Sequence, residues 1–188
     1  MHLPTSGIPT LTTERLVLRP FTHDDLAELT PIHAEESFWW YPLRAGMDED
    51  ETKKFLSRVI ERYETDGFGV EALLDRSSGA MIGWAGLAVP HFLPEILPAV
   101  EVGWRLSAAY RGQGLATEVG EAAVHWGFTE GGLDRLVSIY EPENVASGRV
   151  MARLGFTHWR TTSGTLRGET VDVMDLTRDR WEERIAHG

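Results

Sequence analysis

The run Arg111-Gly112-Gln113-Gly114-Leu115-Ala116-Thr117 is made of residues able to hold phosphate, in an order that suits the task. Gly112 and Gly114 let the backbone turn tightly and let a ligand approach without meeting a Cβ. Before them, Val100, Val102, Trp104 and Leu106 alternate with Glu101, Gly103 and Arg105, the period of a pleated strand. After them, Leu115, Val119, Ala122, Ala123 and Trp126 make one apolar helical stripe. The first amides of a helix have no partner of their own, and with the helix dipole they favour an anion by about 0.3–1 kcal/mol per exposed charge. A pyrophosphate fits, although an ordinary strand-to-helix turn would also use two glycines. Two common phosphate loops do not match. A dinucleotide fold would want a third glycine where Thr117 stands, and the Gly-Lys-Ser/Thr of a nucleotide triphosphate loop is absent.

Arg111, Gly114 and Ala116 follow the Gln/Arg-x-x-Gly-x-Gly/Ala pattern of acyl-CoA loops, and the chain resembles the GNAT acyltransferase superfamily. Thr13-Glu14-Arg15-Leu16-Val17-Leu18-Arg19, Glu101-Val102-Gly103-Trp104, Ala116-Thr117-Glu118, and Asn144-x-x-Ser147 before Leu154-Gly155-Phe156 resemble the branch of ribosomal-protein N-terminal alanine acetyltransferases, the RimJ/RimL type. These motifs fall in the family's order across roughly residues 10–180. Tyr110-Arg111 departs from the Tyr-Trp frequent in that branch, which alters the wall beside the loop.

The resemblance implies acetyl-CoA as cosubstrate and a primary amine as acceptor, first a protein or peptide α-amine, then a polyamine, amino acid or amino-bearing antibiotic. Arg111, Gly112, Gln113, Gly114, Leu115, Ala116 and Thr117 would hold the pyrophosphate, and Trp104 and Leu106 would wall the pantetheine arm, unless they are plain core. Only a neutral amine attacks, so a base is needed. Glu101 is the candidate, acting through a water; a pair with Arg105 or another arginine is the alternative. Ser147 would hydrogen-bond the leaving thiolate, with Tyr140 as a substitute, and Asn144 would contact the cofactor, cap a helix, or do both. Trp39, Trp40 and Tyr41 would line an amine pocket by cation–π contact or else serve as core. His33 and His91 could border the acceptor, and His125 reads as a partly buried structural residue. A CoA-binding sensor without turnover and, less well, a nucleotide-binding α/β domain are the rival readings.

Bulk properties are consistent with a single domain over residues 1–188. With 29 acidic against 18 basic side chains the net charge is −11, which disfavours nucleic acid as a partner. Twelve acidic and five basic residues lie within 23–66, either as solvated helix faces or as steering for a cationic acceptor. The chain has no cysteine, so an acyl-cysteine intermediate and a disulfide framework are excluded. Scattered histidines suggest no metal site, and no apolar run of membrane-spanning length occurs, so the expectation is a soluble cytoplasmic protein. Seven tryptophans exceed what one small core requires and hint at an interface, as a monomer or a homodimer would allow.

Elements that must position these residues follow from periodicity. Strands are expected at 16–19, 68–74, 81–87, 100–106, 136–140, 156–161 and 170–176, and helices over about 24–32, 49–63, 115–130 and 146–154, with an unstructured lead at 1–12 and a short tail around Trp181. Their order predicts one α/β (α+β) domain, and the resemblance makes it a GNAT-type mixed, mainly antiparallel sheet flanked by helices.

Overall fold

A computed structural model describes residues 10–39, 41, 43–163 and 168–187. Strand β1 (Leu11–Thr12) pairs with β2 (Leu16–Arg19), and two helices follow, α1 (Leu26–His33) and α2 (Glu49–Thr65), separated by a single turn at Glu36–Phe38. Then come β3 (Val70–Asp75), β4 (Met81–Ala88), β5 (Glu101–Leu106), α3 (Leu115–Phe128), β6 (Arg135–Tyr140), α4 (Val145–Leu154), β7 (Thr157–Ser163), β8 (Thr170–Thr177) and α5 (Arg178–His187).

The eight strands form one sheet in the order β1-β2-β3-β4-β5-β6-β8-β7. Every described pair is antiparallel except β5 with β6. This is the mixed, mainly antiparallel sheet expected from the sequence. Strand alternation sorts side chains onto two faces. Ala72 and Met81 pack with Leu29, Leu56 and Val59 of α1 and α2, whereas Leu73, Ile82 and Leu106 pack with Leu115 and Val119 of α3. Asp48 caps α2 by accepting from the Glu51 amide while Glu51 bonds back to the Asp48 amide, two orphan donors satisfied at once. Gly155, at φ +92°, ends α4 as its spacing predicted.

Two expectations at the chain ends need correction. Leu11 and Thr12 form an edge strand instead of belonging to a loose lead. The tail around Trp181 is helix α5, docked because Arg178 donates to the carbonyls of Phe128 and Leu133 and Trp181 packs at 5.3 Å from the Phe128 ring. His125 is exposed, edge-on to Trp181, and not partly buried. Of the described tryptophans, Trp39, Trp126 and Trp181 are buried and Trp84 and Trp104 are partly buried against the core, whereas Trp159 is exposed, with the guanidinium of Arg135 over its ring.

Candidate active site

Strands β5 and β6 run side by side only briefly. Glu101 opposite Val137 is their one register pair among the described residues, reinforced by Val137 N–H donating to Val100 O and Ser138 Oγ donating to Val102 O, both at 2.8 Å. Beyond that point the strands part and leave a wedge. Ser107 N–H pairs with Ile82 O, which fixes the ladder phase so that Glu101, Gly103 and Arg105 turn their backbone groups to β4, and Trp104 and Leu106 turn theirs into the wedge. An extended ligand carrying amides can pair there as an added strand. The side chains expected to wall it sit elsewhere: Leu106 is buried against α3, and Trp104 packs into the same core. What these two residues offer the wedge is backbone: both groups of Trp104 and the N–H of Leu106, whose carbonyl already accepts from Arg111 Nε.

At the end of β5 the chain turns through residues 107–114 into α3. Gly112 and Gly114 have φ of +73° and +81°, conformations that favour glycine, and no atom lies within 4 Å of where a Cβ on Gly112 would stand. Gly114 is the N-cap and supplies no side chain to the first amides of α3. Residues 111–114 are exposed. The loop is braced from the turn between β1 and β2: Glu118 accepts from Thr13 Oγ1 (2.6 Å), Arg15 N–H (2.8 Å) and Arg15 Nε (2.6 Å), and Arg15 Nη1 donates to Gln113 O (3.0 Å). Burial pushes the Glu118 carboxyl up, but the bonds from Thr13 and Arg15 outweigh it and hold the group below the usual range. Two motifs about a hundred residues apart are thus one unit, with a guanidinium over a loop suited to an anion. Thr117 Oγ1 is buried without a hydrogen-bond partner among the described residues.

Glu101 opens β5 at the apex of the wedge, its carboxyl beside the Ile139 amide. Burial pushes its pKa up to about 8, against the pull of the Arg105 guanidinium and the Ile139 N–H. No ion pair joins Glu101 to Arg105. Arg105 instead donates to Phe38 O at 2.6 Å and lies 4.6 Å over the Trp39 ring and 5.4 Å from the Trp84 ring. A carboxyl with a pKa near 8 and no cation clamped to it is suited to accept a proton from an amine.

Across the wedge, Asn144 caps α4 by accepting from Ser147 N–H at 3.2 Å, so one of its two anticipated roles is realised. Ser147 stands in the first turn of α4, partly exposed, its hydroxyl without a hydrogen bond among the described residues. Tyr140 lies over that turn: its ring would meet a Cβ on Gly148 at 3.1 Å. Both hydroxyl candidates therefore sit on the β6–α4 side, and Glu101 sits on the β5 side.

Arg111 turns its guanidinium toward backbone: Nε donates to Leu106 O and Nη2 to Ser37 O, each at 2.9 Å. Glu35 accepts from Ser107 Oγ and from Ala108 N–H. The turn after α1 is thereby stapled to the glycine loop. Trp39 is buried, with Arg105 over its ring, and Tyr41 lies under Arg44, which bonds Glu141 at 3.0 Å. Trp40 lies outside the described residues. His33 is fully buried among Phe38, Trp39 and Phe55, and burial together with Arg105 pushes its pKa down to about 3, so it is neutral and no acid or base at ordinary pH. His91 is exposed and bonds Asp66 at 2.9 Å. Sequence reasoning missed Arg105 and Trp84 as site residues. The signal was the period-two run Glu101, Gly103, Arg105, which puts a carboxylate and a guanidinium on one face. Among the described residues, no group of three or more His, Asp or Glu is arranged to hold a metal.

An acetyltransferase (GNAT) domain matches residues 15–157, and the chain belongs to that family of acyltransferases, whose members use acetyl-CoA. The [ribosomal protein uS5]-alanine N-acetyltransferase of Escherichia coli is 26% identical over 151 residues, covering 78% of this chain and 77% of that protein. Among solved structures, a GNAT-family acetyltransferase from Bacillus anthracis superposes with a TM-score of 0.76 at 20% identity, covering 91% of this chain and 99% of that one. RimL, a ribosomal L7/L12 alpha-N-protein acetyltransferase in complex with coenzyme A, superposes with a TM-score of 0.73 at 19% identity, covering 92% and 99%.

Proposed function

We propose that the protein transfers an acetyl group from acetyl-CoA directly to the α-amine at the N-terminus of a protein or peptide. The observation that carries this is the β5–β6 wedge, with an exposed glycine loop at its open end and Glu101, a carboxyl raised to about 8, at its apex. Amides of the glycine loop and the first turn of α3, with Arg15 above, would bind the pyrophosphate, and Arg111 would act by holding that loop. Backbone groups of Trp104 and Leu106 would align the pantetheine and polarise the thioester carbonyl. Glu101 would take the amine proton through a water, and Ser147 or Tyr140 would donate a hydrogen bond to the departing thiolate.

An α-ammonium, at about 8, loses its proton near neutral pH far more readily than a lysine ammonium at about 10.4, so an α-amine is the easier acceptor for a carboxyl raised by burial. Support also comes from the E. coli relative, an enzyme named for acting on ribosomal-protein alanine. Acetyl-CoA turnover on peptides with varied first residues and on small amines, read by product mass spectrometry, tests the proposal. Acetylation at peptide N-termini upholds it, and turnover confined to amines that are not α-amines refutes it.

A further inference from the structure

Arg105 is a cation with no carboxylate bonded to it; the charge of Glu101 acts on it only through space. Its Nη1 donates to Phe38 O, its plane is enclosed by the rings of Phe38, Trp39 and Trp84, and its Nε is buried with no hydrogen-bond partner. Among the described residues no carboxylate makes an ion pair with it. Glu35, on the neighbouring turn, is committed to Ser107 and Ala108. Glu101 attracts it through space, and the cation beside it, Arg111, repels it. A guanidinium taken from water and left uncompensated is costly, and such a group is retained where an anion completes it. Nε is closed off from solvent, so Nη2, which makes no hydrogen bond among the described residues, is the nitrogen left to donate a charge-assisted hydrogen bond to a carboxylate.

Its position says what should carry that carboxylate. Glu101, Gly103 and Arg105 share one strand face, and Gly103 leaves the middle clear: a Cβ there would touch only Trp84, at 3.9 Å. The strip therefore reads carboxylate, gap, guanidinium. Resting on the amine acetyltransferase reading, we infer that Arg105 selects acceptors bearing a carboxylate close to the reacting amine, either the α-carboxylate of a free amino acid or the side chain of an acidic residue at a peptide N-terminus. The acceptor's amine lies at the Glu101 end and its carboxylate at the Arg105 end.

Matched pairs test this. Free amino acids are compared with their α-carboxamides, and peptides beginning Asp or Glu with those beginning Asn or Gln, by kcat and KM for acetylation. In parallel, calorimetric binding of the N-acetylated forms of both sets is measured on the CoA-loaded protein. The expected result is a preference for the carboxylate member of about tenfold or more, lying in KM and in binding, since tenfold corresponds to one charge-assisted hydrogen bond. Arg105→Gln should reduce the ratio to about one, and Arg105→Lys should keep part of it. A purely structural Arg105 would depress both members alike and leave the ratio standing, which would overturn the inference, as would equal use of both members by the unaltered protein. Preferential carboxylate binding that Arg105→Gln abolishes, without turnover of any acceptor, would uphold the anion site while refuting the transferase reading. The arm showing the larger ratio identifies amino acid or acidic peptide.

Discussion

Glu101 stands opposite Val137 at the one register pair that β5 and β6 share among the described residues, so its carboxyl lies where the parallel strands begin to part. That placement buries the group enough to raise its pKa to about 8 while keeping it at the apex of a wedge lined by β5 backbone. Rates should follow its titration. Acetylation measured as kcat/KM should rise with pH through about 8, because both Glu101 and an α-amine must be deprotonated to react. Glu101→Gln should lower kcat by about 10²–10⁴-fold with acetyl-CoA affinity retained in a calorimetric titration. A profile already flat above pH 6 would contradict the assignment.

The brace on the glycine loop should be separable from chemistry. Glu118→Ala removes the acceptor that holds Thr13 and Arg15, and Arg15→Met removes the bond to Gln113 O. Each should raise the acetyl-CoA KM by about tenfold, as expected for a lost charge-assisted bond, while kcat at saturation changes little. A fall in kcat with unaltered KM would place these residues at the reacting centre instead.

Glu71 offers a stability test away from the wedge. Its carboxyl lies on the α3 side of β3, bordering a small hollow lined by Leu18, Phe68, Leu87, Ala123 and Trp126, and one oxygen is buried without a partner. Burial pushes its pKa from 4.5 to about 8. The folded state therefore holds a proton that the unfolded chain has released, so this contribution to stability is complete below pH 4.5 and is lost as pH rises through about 8. Glu71→Gln should flatten that decline, with a larger gain in Tm at pH 9 than at pH 5. An equal change at both values would show that Glu71 ionises without cost.

His33 gives the opposite slope. Held neutral among aromatic rings, with a pKa pushed from 6.5 to about 3, it contributes stability that is complete above pH 6.5 and is lost as pH falls toward 3. His33→Phe should make Tm less sensitive to acid across that interval. Unchanged acid sensitivity would rule His33 out as a contributor.

What the sequence disclosed follows from how local each feature is. The glycine loop and the two elements flanking it were legible because turn chemistry and periodicity act within a few residues, and the family motifs extended that to the order of strands. Side-chain destinations were not. Trp104 and Leu106 look like pocket wall until α3 covers their face of the sheet. Arg111 looks like a phosphate ligand, yet its guanidinium meets the Ser37 carbonyl, 74 residues earlier in the chain. Trp39 reads as an aromatic surface for an ammonium, but Arg105 already lies over its ring. Helix α5 was missed because its apolar stripe is thin: Trp181 is buried while Ile185 is 55% exposed.

The most direct test of acyl transfer within the wedge is release of free CoA thiol from acetyl-CoA, followed together with the mass of an N-terminal peptide acceptor, for the protein and for Glu101→Gln. Equal amounts of released thiol and singly acetylated peptide, both nearly abolished by Glu101→Gln while acetyl-CoA still binds, are the expected result. Thiol release without acetylated acceptor, or transfer undiminished in Glu101→Gln, would contradict it.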